Sequence, residues 1–377
     1  MTRTVLINAG PWLPVPPGGY GGIENVVATL IPPLRERGIR VVLATVASSS
    51  QAADERLAPF PGGQFEVLQR PYNQVSGVAH AHQHAVLRAL RGRDDIDLVH
   101  DHVEVVGLAV LSAAVLDPAM PPVLHTLHWD LGKHAAFYAG LDAGPRVRVN
   151  GVSAAQLRGA PPALRRHAVG HVHLGTPLAD GAQHRPRPDK GGHAVVLGRI
   201  TPGKGQHLAA QLAHERGFDL ILAGPVGPYR QPAQLAAAGE AAGNPDVRYW
   251  AEQVCPLVDG VRVRWVGTLA GQERDRLVAS ARFSLFPLQW DEPGGTAVVE
   301  SLALGTPVAG LARGCLPELV AQGRTGWLTD SVAELAELVD AASGIDPGEC
   351  CAEAARRFTP AVMAARYAEI YDQLIGR

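Results

Sequence analysis

The chain has 377 residues, of which 46% are hydrophobic and 19% charged, and its formal net charge is −2. This composition is that of a soluble globular protein long enough for two cores. The near-neutral charge gives no electrostatic basis for binding nucleic acid. The longest apolar run, residues 105–116, is far shorter than the roughly 20 residues of a membrane span. The first strand begins without the features of a signal peptide. We therefore expect a cytoplasmic protein with no transmembrane segment, which leaves a peripheral membrane contact open.

Short apolar runs predict strands along the whole chain. The first series is residues 4–9, 39–45, 98–100, 123–127, 147–152 and 172–173, and the second is residues 194–197, 218–223, 261–266, 283–286, 306–310 and 327–328. Segments with helical character lie between strands, for example at residues 24–37, 81–91, 205–214, 271–279 and 296–303. This alternation predicts an α/β fold of two doubly wound, Rossmann-like parallel sheets with helices on both faces.

A polar, proline-bearing stretch at residues 180–192 separates the two series and is typical of an interdomain linker. The predicted N-terminal domain is residues 1–179, and the predicted C-terminal domain is residues 193–358. Residues 359–375 have apolar side chains at helical spacing and predict a final helix. Because such sheets bind ligands at the carboxyl ends of their strands, two facing domains would share a cleft.

A glycine-rich loop follows the first strand and precedes a helix, with Gly18, Gly19, Gly21 and Gly22. The dinucleotide-binding fingerprint fails at its third glycine, where Glu24 stands, so this loop does not favour a dehydrogenase. The loop is either a flexible surface segment or a place where the backbone approaches a ligand more closely than a side chain would allow.

Two groups of histidines are close together in the sequence: His80, His82 and His84 in a loop-to-helix region, and His100 and His102 on either side of Asp101. Either group could suggest a metal. No carboxylate or cysteine pattern completes a ligand set, so we expect no metal site.

An acidic pair and a pair of histidines near strand ends are the remaining candidates for a site. Asp95 and Asp97 match the Asp-x-Asp motif of metal-dependent transferases, but we predict that they cap the strand at 98–100. His128 directly follows the strand at 123–127, which predicts that it faces the cleft, whereas we expect His125 within that strand to be structural.

Residues 198–205 place Arg199 and Lys204 on a short loop between a strand and a helix. The loop begins like a nucleotide-triphosphate loop, but Gly205 occupies the position of the magnesium-binding Ser or Thr. A plain surface turn is the other alternative. Backbone amides and the dipole of the following helix favour an anion. Arg199 and Lys204 could then neutralise the charge of a departing diphosphate.

The acidic residues Glu292 and Glu300 stand eight positions apart. A turn and the start of a helix lie between them, with Gly294, Gly295, Thr296 and Ala297. The glycines let the backbone approach a ligand, and the first amides of the helix favour an anion. Glu300, about one turn into the helix, could accept hydrogen bonds from a ribose diol, and Glu292 could accept them from a hexose. We interpret both as ligand-binding groups and not as the acid/base pair of a glycoside hydrolase.

The two stretches together resemble the retaining glycosyltransferases of family GT4, which have the GT-B fold. The family's glutamate–seven–glutamate motif is similar to Glu292 and Glu300 in this chain, and its Gly-Arg-x4-Lys-Gly loop is similar to residues 198–205. The turns at residues 222–225, 266–267 and 318–326 also resemble that family. The resemblance covers nearly the whole chain.

The resemblance implies a GT-B architecture in which the first domain binds the acceptor and the second binds a nucleotide sugar. It implies transfer of a sugar from a nucleoside diphosphate to an acceptor hydroxyl, with retention at the anomeric carbon. No metal or other cofactor would be needed, because Arg199, Lys204 and helix amides would stabilise the leaving group. The final helix, within residues 359–377, would return to the first domain, and residues 71–84 would contact the acceptor.

The resemblance also implies roles for individual residues. The catalytic residues would be Arg199, Lys204, His128 and Glu292. The donor-binding residues would be Gly21, Gly22, Gly198, Gly267, Gly294, Gly295, Thr296, Ala297 and Glu300.

Other functions remain open. A sugar-nucleotide epimerase or phosphorylase on the same fold would act without an acceptor alcohol, or with orthophosphate. A non-catalytic nucleotide-sugar-binding protein would bind the nucleotide without transfer, and a P-loop NTPase would need magnesium. The sequence identifies neither the base, the sugar nor the acceptor.

Overall fold

The computed structural model describes residues 3–19, 21–185, 189–238 and 243–376. The chain divides into two compact units: unit 1 is Met1–Pro177 with Pro360–Arg377, and unit 2 is Leu178–Thr359. The predicted linker at residues 180–192 and the domain limits at 179, 193 and 358 stay predictions, and residues 186–188 of the linker lie outside the described residues.

A parallel sheet forms the centre of unit 1. Its strands are β1 (Thr4–Asn8), β2 (Arg40–Ala44), β3 (Glu55–Leu57), β4 (Leu98–Asp101), β5 (Val123–Leu127), β6 (Val147–Gly151) and β7 (Ala168–His171). Their order across the sheet is β3-β2-β1-β4-β5-β6-β7. The central strands β1, β4 and β5 are buried on both faces, as is usual in a parallel sheet, and they contain buried polar residues such as Asn8, Asp101 and His125 as well as apolar ones.

Helices pack on this sheet: α1 (Gly22–Glu36), α2 (Tyr72–Leu90), α3 (Glu104–Ala114), α4 (Ala135–Ala139), α5 (Ala154–Arg158) and α6 (Pro162–Arg165). The predicted strand at residues 172–173 was wrong, since the edge strand β7 lies just before it. Strand β3 was not predicted. Helix α2 begins nine residues earlier than the predicted start at residue 81 and therefore contains the histidine cluster.

Unit 2 has a second parallel sheet, with β8 (His193–Leu197), β9 (Asp219–Ala223), β10 (Val263–Trp265), β11 (Ser284–Phe286), β12 (Val308–Leu311) and β13 (Gly326–Thr329). The strands follow the order β10-β9-β8-β11-β12-β13. The helices are α7 (Gln206–Arg216), α8 (Pro232–Ala237), α9 (Pro245–Tyr249), α10 (Gly271–Ser280), α11 (Thr296–Ala303), α12 (Leu316–Leu319), α13 (Val332–Ser343) and α14 (Pro347–Arg357). Since β8 has β9 on one side and β11 on the other, the strand order reverses at β8, and ligands of such sheets bind where the order reverses.

The final helix, α15 (Pro360–Ile375), belongs to unit 1 and packs against α1. Its apolar residues are buried at helical spacing, and two of its tyrosines reach polar groups of the sheet. The Tyr371 hydroxyl lies 2.7 Å from Nδ1 of His100, and the Tyr367 hydroxyl lies 3.2 Å from Oγ1 of Thr126. Without α15, Nδ1 of His100 would lose its contact with Tyr371 and Oγ1 of Thr126 would lose one of its contacts, which makes the helix part of the core of unit 1.

Candidate functional site

Three glycines at the carboxyl ends of β8, β9 and β10 let the main chains of the loops that follow these strands approach each other closely. Gly198, Gly224 and Gly267 have φ values of +147°, +156° and +74°. The N–H of Gly224 donates to the carbonyl of Gly267 at 2.8 Å, and a Cβ on Gly224 would lie 1.9 Å from the carbonyl oxygen of Gly198. A side chain does not fit at Gly224, nor at Gly267, where a Cβ would lie 2.6 Å from the carbonyl oxygen of Arg230, so this glycine edge of the sheet consists mainly of main chain. Gly198 and Gly267 were predicted as site residues, but Gly224 was not.

The loop after β8 brings Lys204 to the acidic segment. A short 3-10 turn (Pro202–Lys204) leads into α7 through Gly205, whose φ is +69°. A Cβ on Gly205 would lie 2.1 Å from the carbonyl oxygen of Pro287, and the N–H of Gln289 donates to the carbonyl of Gly203 at 2.8 Å. The two loops therefore pack backbone to backbone, which fixes the position of Lys204.

Lys204 forms an ion pair with Glu292, and its Nζ lies 5.6 Å from the ring centroid of Trp290. The side chain of Lys204 is 23% exposed and that of Glu292 is 15% exposed, so this is a half-buried pair with one accessible side. The structure thus brings together two residues that were predicted as site residues from separate motifs.

The loop that carries Glu292 is held by a turn that sequence reasoning missed. The N–H of Cys315 donates to the carbonyl of Glu292 at 2.8 Å, and the N–H of Gly314 donates to Asp291 Oδ1 at 3.0 Å. A Cβ on Gly314 would lie 2.3 Å from both the nitrogen and the oxygen of Glu292. The turn after β12 is therefore in close contact with the backbone of Glu292 and restricts where its carboxylate can lie.

Helix α11 begins immediately after the acidic loop. Gly295 is its N-cap with φ +60°, and a Cβ there would lie 2.6 Å from Cδ1 of Leu319. Thr296 and Ala297 are the first residues of the helix, so their N–H groups have no partner within it. Gly294 is buried in the preceding turn, and Thr296 is exposed. The first amides of the helix and the positive end of its dipole therefore lie next to the acidic loop, an arrangement that suits an anion.

Glu300 lies in α11 and contacts a residue that was not predicted. Its Oε1 accepts a hydrogen bond from Nη1 of Arg274 at 3.3 Å. Arg274 also donates to Asp275 Oδ1 from Nε at 3.0 Å and from Nη2 at 2.8 Å. Burial raises the pKa of Glu300, and the charge of Arg274 opposes that rise. No sequence motif indicated Arg274, because it lies in α10, far from Glu300 in sequence.

Arg199 is exposed and lies on the same loop as Lys204. Its carbonyl accepts a hydrogen bond from Nε2 of Gln206 at 2.8 Å, which ties the loop to the first residue of α7. Burial raises the pKa of Asp246, and the charge of Arg199 lowers it, so the guanidinium lies near Asp246. The positive charge of Arg199 therefore lies on the exposed side of this loop, close to Asp246.

In unit 1 the glycine-rich loop ends at the N-terminus of α1. A Cβ on Gly21 would lie 2.7 Å from Cγ of Pro17, whereas the position of a Cβ on Gly22 is open. Glu24, in the first turn of α1, is buried, and burial raises its pKa to about 7, with a further contribution from Glu104. The loop therefore packs against Pro17 at Gly21, whereas there is space beside Gly22.

His128 follows β5 and is half-buried. Its Nε2 lies 2.8 Å from Nδ1 of His102, and the two rings stack with centroids 5.1 Å apart. Burial lowers the pKa of His128 to about 3 and also lowers that of His102, so both rings are neutral at pH 7. One of the two facing nitrogens therefore carries a hydrogen and donates to the other, and His102 was not predicted to take part.

His125 is part of a buried polar network. Its Nδ1 lies 2.6 Å from Oδ2 of Asp101, and Asp101 Oδ1 accepts from Nδ2 of Asn8 at 2.7 Å. His82 Nε2 contacts Asn8 Oδ1 at 2.8 Å, which joins α2 to the same network. These contacts satisfy polar groups inside the core, as the structural role predicted for His125 requires.

The other motifs that could suggest a metal have protein contacts. His100 lies between Tyr371 and Thr126, and His80 Nδ1 lies 2.7 Å from the carbonyl of Ser76. Asp95 pairs with Arg40 and Arg93 near β2 and β3, and Asp97 accepts the N–H of Thr4 at 2.8 Å, so both lie at the start of strands, away from the loops described above. In the described ranges no helix combines the length and apolar character needed to cross a membrane.

The two Rossmann-like parallel-sheet units have the architecture of a glycosyltransferase of the GT-B fold. The comparisons with known proteins agree with this class. A family model described as glycosyl transferases group 1 matches residues 182–344, and one described as glycosyltransferase family 4 matches residues 20–155.

Among its relatives, the chain is 30% identical to a D-inositol 3-phosphate glycosyltransferase of Mycolicibacterium vanbaalenii, over 83% of this chain and 75% of the relative. The chain belongs to glycosyltransferase family 4 and is a transferase. It is also similar to the crystal structure of AviGT4, a glycosyltransferase involved in avilamycin A biosynthesis, with 26% identity, a TM-score of 0.65 and coverage of 99% and 98% of the two chains. The HepE protein of Anabaena, in complex with UDP and glucose, has the same fold at 18% identity, with a TM-score of 0.68 and coverage of 98% and 100%.

Proposed function

We propose that the protein transfers a sugar from a nucleoside-diphosphate donor to an acceptor hydroxyl, with retention at the anomeric carbon and without a metal. The observation that carries the proposal is the ion pair between Lys204 and Glu292, which joins two motifs that lie far apart in sequence. A cation for a diphosphate and a carboxylate for sugar hydroxyls stand beside each other there. A nucleotide sugar has these two groups covalently linked, so it matches the pair as a ligand.

The remaining donor contacts follow from unit 2. The main-chain edge at Gly198 and Gly267 admits the nucleotide, and the amides of Thr296 and Ala297 face its phosphates. Glu300, one turn further along α11, accepts hydrogen bonds from the ribose. Gly294 and Gly295 form the turn that carries Glu292 into contact with the sugar.

In the reaction the acceptor oxygen forms a bond to the anomeric carbon, and the bond from that carbon to the β-phosphate oxygen breaks. The acceptor proton passes to the leaving phosphate oxygen on the same face, which balances the step without a protein base. Negative charge develops on the diphosphate. Lys204, Arg199 and the α11 amides stabilise this charge, which is the electrostatic role that a metal has in other transferases.

Unit 1 supplies the acceptor side. Gly22 has an open face at the end of the glycine-rich loop, and residues 71–84 lie in and beside α2. Gly21 holds the loop, and neutral His128 contacts the sugar through its ring. The Mycolicibacterium relative is named for D-inositol 3-phosphate, so this cyclitol phosphate is the first acceptor to test.

The nucleotide site is tested by calorimetric titration of UDP, GDP and ADP into the wild type and Lys204→Ala, in buffer with EDTA. One nucleotide should bind to the wild type, and the variant should bind it at least about tenfold more weakly, as expected for a charge-assisted contact. Arg262→Ala is the matched control, because it removes one positive charge at the amino end of β10 and should leave the affinity unchanged. No binding of any nucleotide would refute the donor site.

Transfer is tested with UDP-glucose, GDP-mannose and ADP-glucose and with D-inositol 3-phosphate as acceptor. We expect an α-linked product by proton NMR, at the same rate with EDTA and with added magnesium. Lys204→Ala should lower turnover by about 100-fold, a typical loss for a group that stabilises developing charge.

A β-linked product would refute retention, and a requirement for magnesium would refute metal independence. Conversion of the donor sugar without an acceptor would identify an epimerase, and turnover only with orthophosphate a phosphorylase. Nucleotide binding without conversion of any donor would support a binding protein.

A further inference from the structure

Arg274 is a partly buried arginine of α10 that has no role in the mechanism above. Its guanidinium has two sets of contacts, both within unit 2. Nε and Nη2 donate to the same oxygen, Oδ1 of Asp275, at 3.0 and 2.8 Å, and Nη1 donates to Glu300 Oε1 at 3.3 Å. The side chains of Arg274 and Asp275 are 27% and 26% exposed, and that of Glu300 is 16% exposed.

Asp275 fixes the orientation of Arg274. Two nitrogens of the planar guanidinium converge on one carboxylate oxygen, which restricts rotation of the fork about the end of the side chain. The third nitrogen, Nη1, then points to Glu300. The chain of contacts therefore runs from Asp275 through Arg274 to Glu300, and each link is a charge-assisted hydrogen bond.

Arg274 engages only one oxygen of Glu300. The other, Oε2, accepts no hydrogen bond from the part of the chain that the structure describes. A carboxylate in this arrangement has one oxygen held by the protein and one that is free to accept from a ligand. Burial favours the protonated carboxyl, whereas Arg274 favours the ionised form, which can only accept hydrogen bonds.

We propose that Arg274 is a positioning residue that holds Glu300 with Oε2 presented to the hydroxyls of the nucleotide ribose, and that the protein thereby selects ribonucleotides over 2′-deoxyribonucleotides. This inference rests on the proposed function, in which Glu300 binds the ribose. The new element is that Arg274 makes the contact between Glu300 and the ribose selective for ribonucleotides. Arg274 itself touches no substrate in this arrangement and acts only through Glu300.

The selectivity has a physical origin in the loss of one hydrogen bond. A 2′-deoxynucleotide lacks the 2′-hydroxyl donor, so the oriented, charged acceptor Oε2 of Glu300 loses one of the hydrogen bonds that the ribose diol gives it. The site should therefore discriminate by about tenfold or more, the usual effect of a hydrogen bond to a charged group. If Arg274 is removed, Glu300 can rotate or take up a proton, and the two nucleotides should bind almost equally.

The test is calorimetric titration of UDP, GDP and ADP and of their 2′-deoxy forms. The affinity ratio of the ribo to the deoxy form is measured for wild type, Arg274→Ala, Arg274→Lys, Asp275→Asn and Glu300→Ala. We expect a ratio of about ten or more in wild type, a ratio near one in Arg274→Ala and Glu300→Ala, and intermediate ratios in Arg274→Lys and Asp275→Asn. Arg276→Ala is the matched control, since Arg276 is an exposed arginine of the same helix, and it should keep the wild-type ratio.

The outcomes separate this inference from the proposed function. If the wild-type ratio is high and is lost in Glu300→Ala but retained in Arg274→Ala, the inference is wrong and the ribose contact stands. If Glu300→Ala retains the ratio, or the wild type shows none, the ribose contact of the proposed function is wrong as well. A purely structural role for Arg274 would weaken both nucleotides equally and leave the ratio unchanged. Asp275→Asn leaves the arginine in place and keeps the test decisive if Arg274→Ala does not fold.

Discussion

The loop that carries Lys204 needs a glycine at position 205 for two reasons: its left-handed backbone and its close contact with Pro287. Comparison of Gly205→Ala with Gly217→Ala separates these two requirements. Gly205 has φ +69°, and a Cβ there would lie 2.1 Å from the Pro287 carbonyl oxygen. Gly217, at the opposite end of α7, has φ +75°, but the nearest atom to its added Cβ would be Nη1 of Arg262 at 4.0 Å. The two glycines thus share their backbone conformation and differ in the clash.

The expected losses of stability follow from these distances. An alanine in the left-handed region costs about 1–2 kcal/mol at either position. The clash at Gly205 forces the loop or Pro287 to move and adds about 1–3 kcal/mol, the usual cost of overpacking. The clash alone therefore predicts a melting temperature for Gly205→Ala that is about 2–12 °C below that of Gly217→Ala.

Thermal and urea unfolding of the two variants, followed by circular dichroism, measures the difference directly. Nucleotide titration adds a second readout, because displacement of the Pro287 loop also displaces Glu292. We expect Gly205→Ala to bind the nucleotide more weakly and Gly217→Ala to bind it like wild type. Equal melting temperatures, together with equal affinities, would show that the packing of the two loops does not position Lys204.

Two further predictions concern unit 1. Because burial raises the pKa of Glu24 from 4.5 to about 7, the folded protein retains a proton that the unfolded chain releases. Stability should therefore fall by up to about 3 kcal/mol as pH rises between these values. In Glu24→Gln, urea unfolding at pH 5 and pH 8 should show this dependence removed, and an unchanged pH dependence would contradict the assignment. Asp101→Asn should destabilise the protein by about 3 kcal/mol or more, because it breaks the buried contact with His125. The exposed Asp94→Asn should have little effect, and equal melting temperatures of these two variants would argue against the network.

The order of strands and helices could be predicted because each buried strand is a short apolar run between polar turns. The failures lie at the edges of the unit 1 sheet. Strand β3 contains Glu55 and Arg56, and its pairing with β2 is supported by ion pairs of Glu55 with Arg40 and Arg93, which no apolar pattern reveals. Strand β7 includes the exposed Gly170 and His171, so the apolar residues just after it gave the wrong position.

The site could be predicted only where a local motif carries its chemistry. Lys204, Glu292 and Glu300 stand in segments whose glycines and helix starts are visible in sequence. Gly314 and Arg274 are not recognisable in this way, because they act through contacts with residues 22 and 26 positions away, and their neighbours in sequence have no distinctive pattern. Such residues become visible only when strands and helices from distant parts of the chain are brought together.

The return of α15 to unit 1 makes unit 2 an insertion within unit 1, and this has a consequence for biosynthesis. The ribosome completes every residue of Leu178–Thr359 before it makes α15. Until then the polar groups of His100 and Thr126 lack the hydroxyls of Tyr371 and Tyr367. Domains usually fold in order from the N-terminus during synthesis. Here the second unit can finish folding first, and unit 1 completes its core only after its last helix has been synthesised.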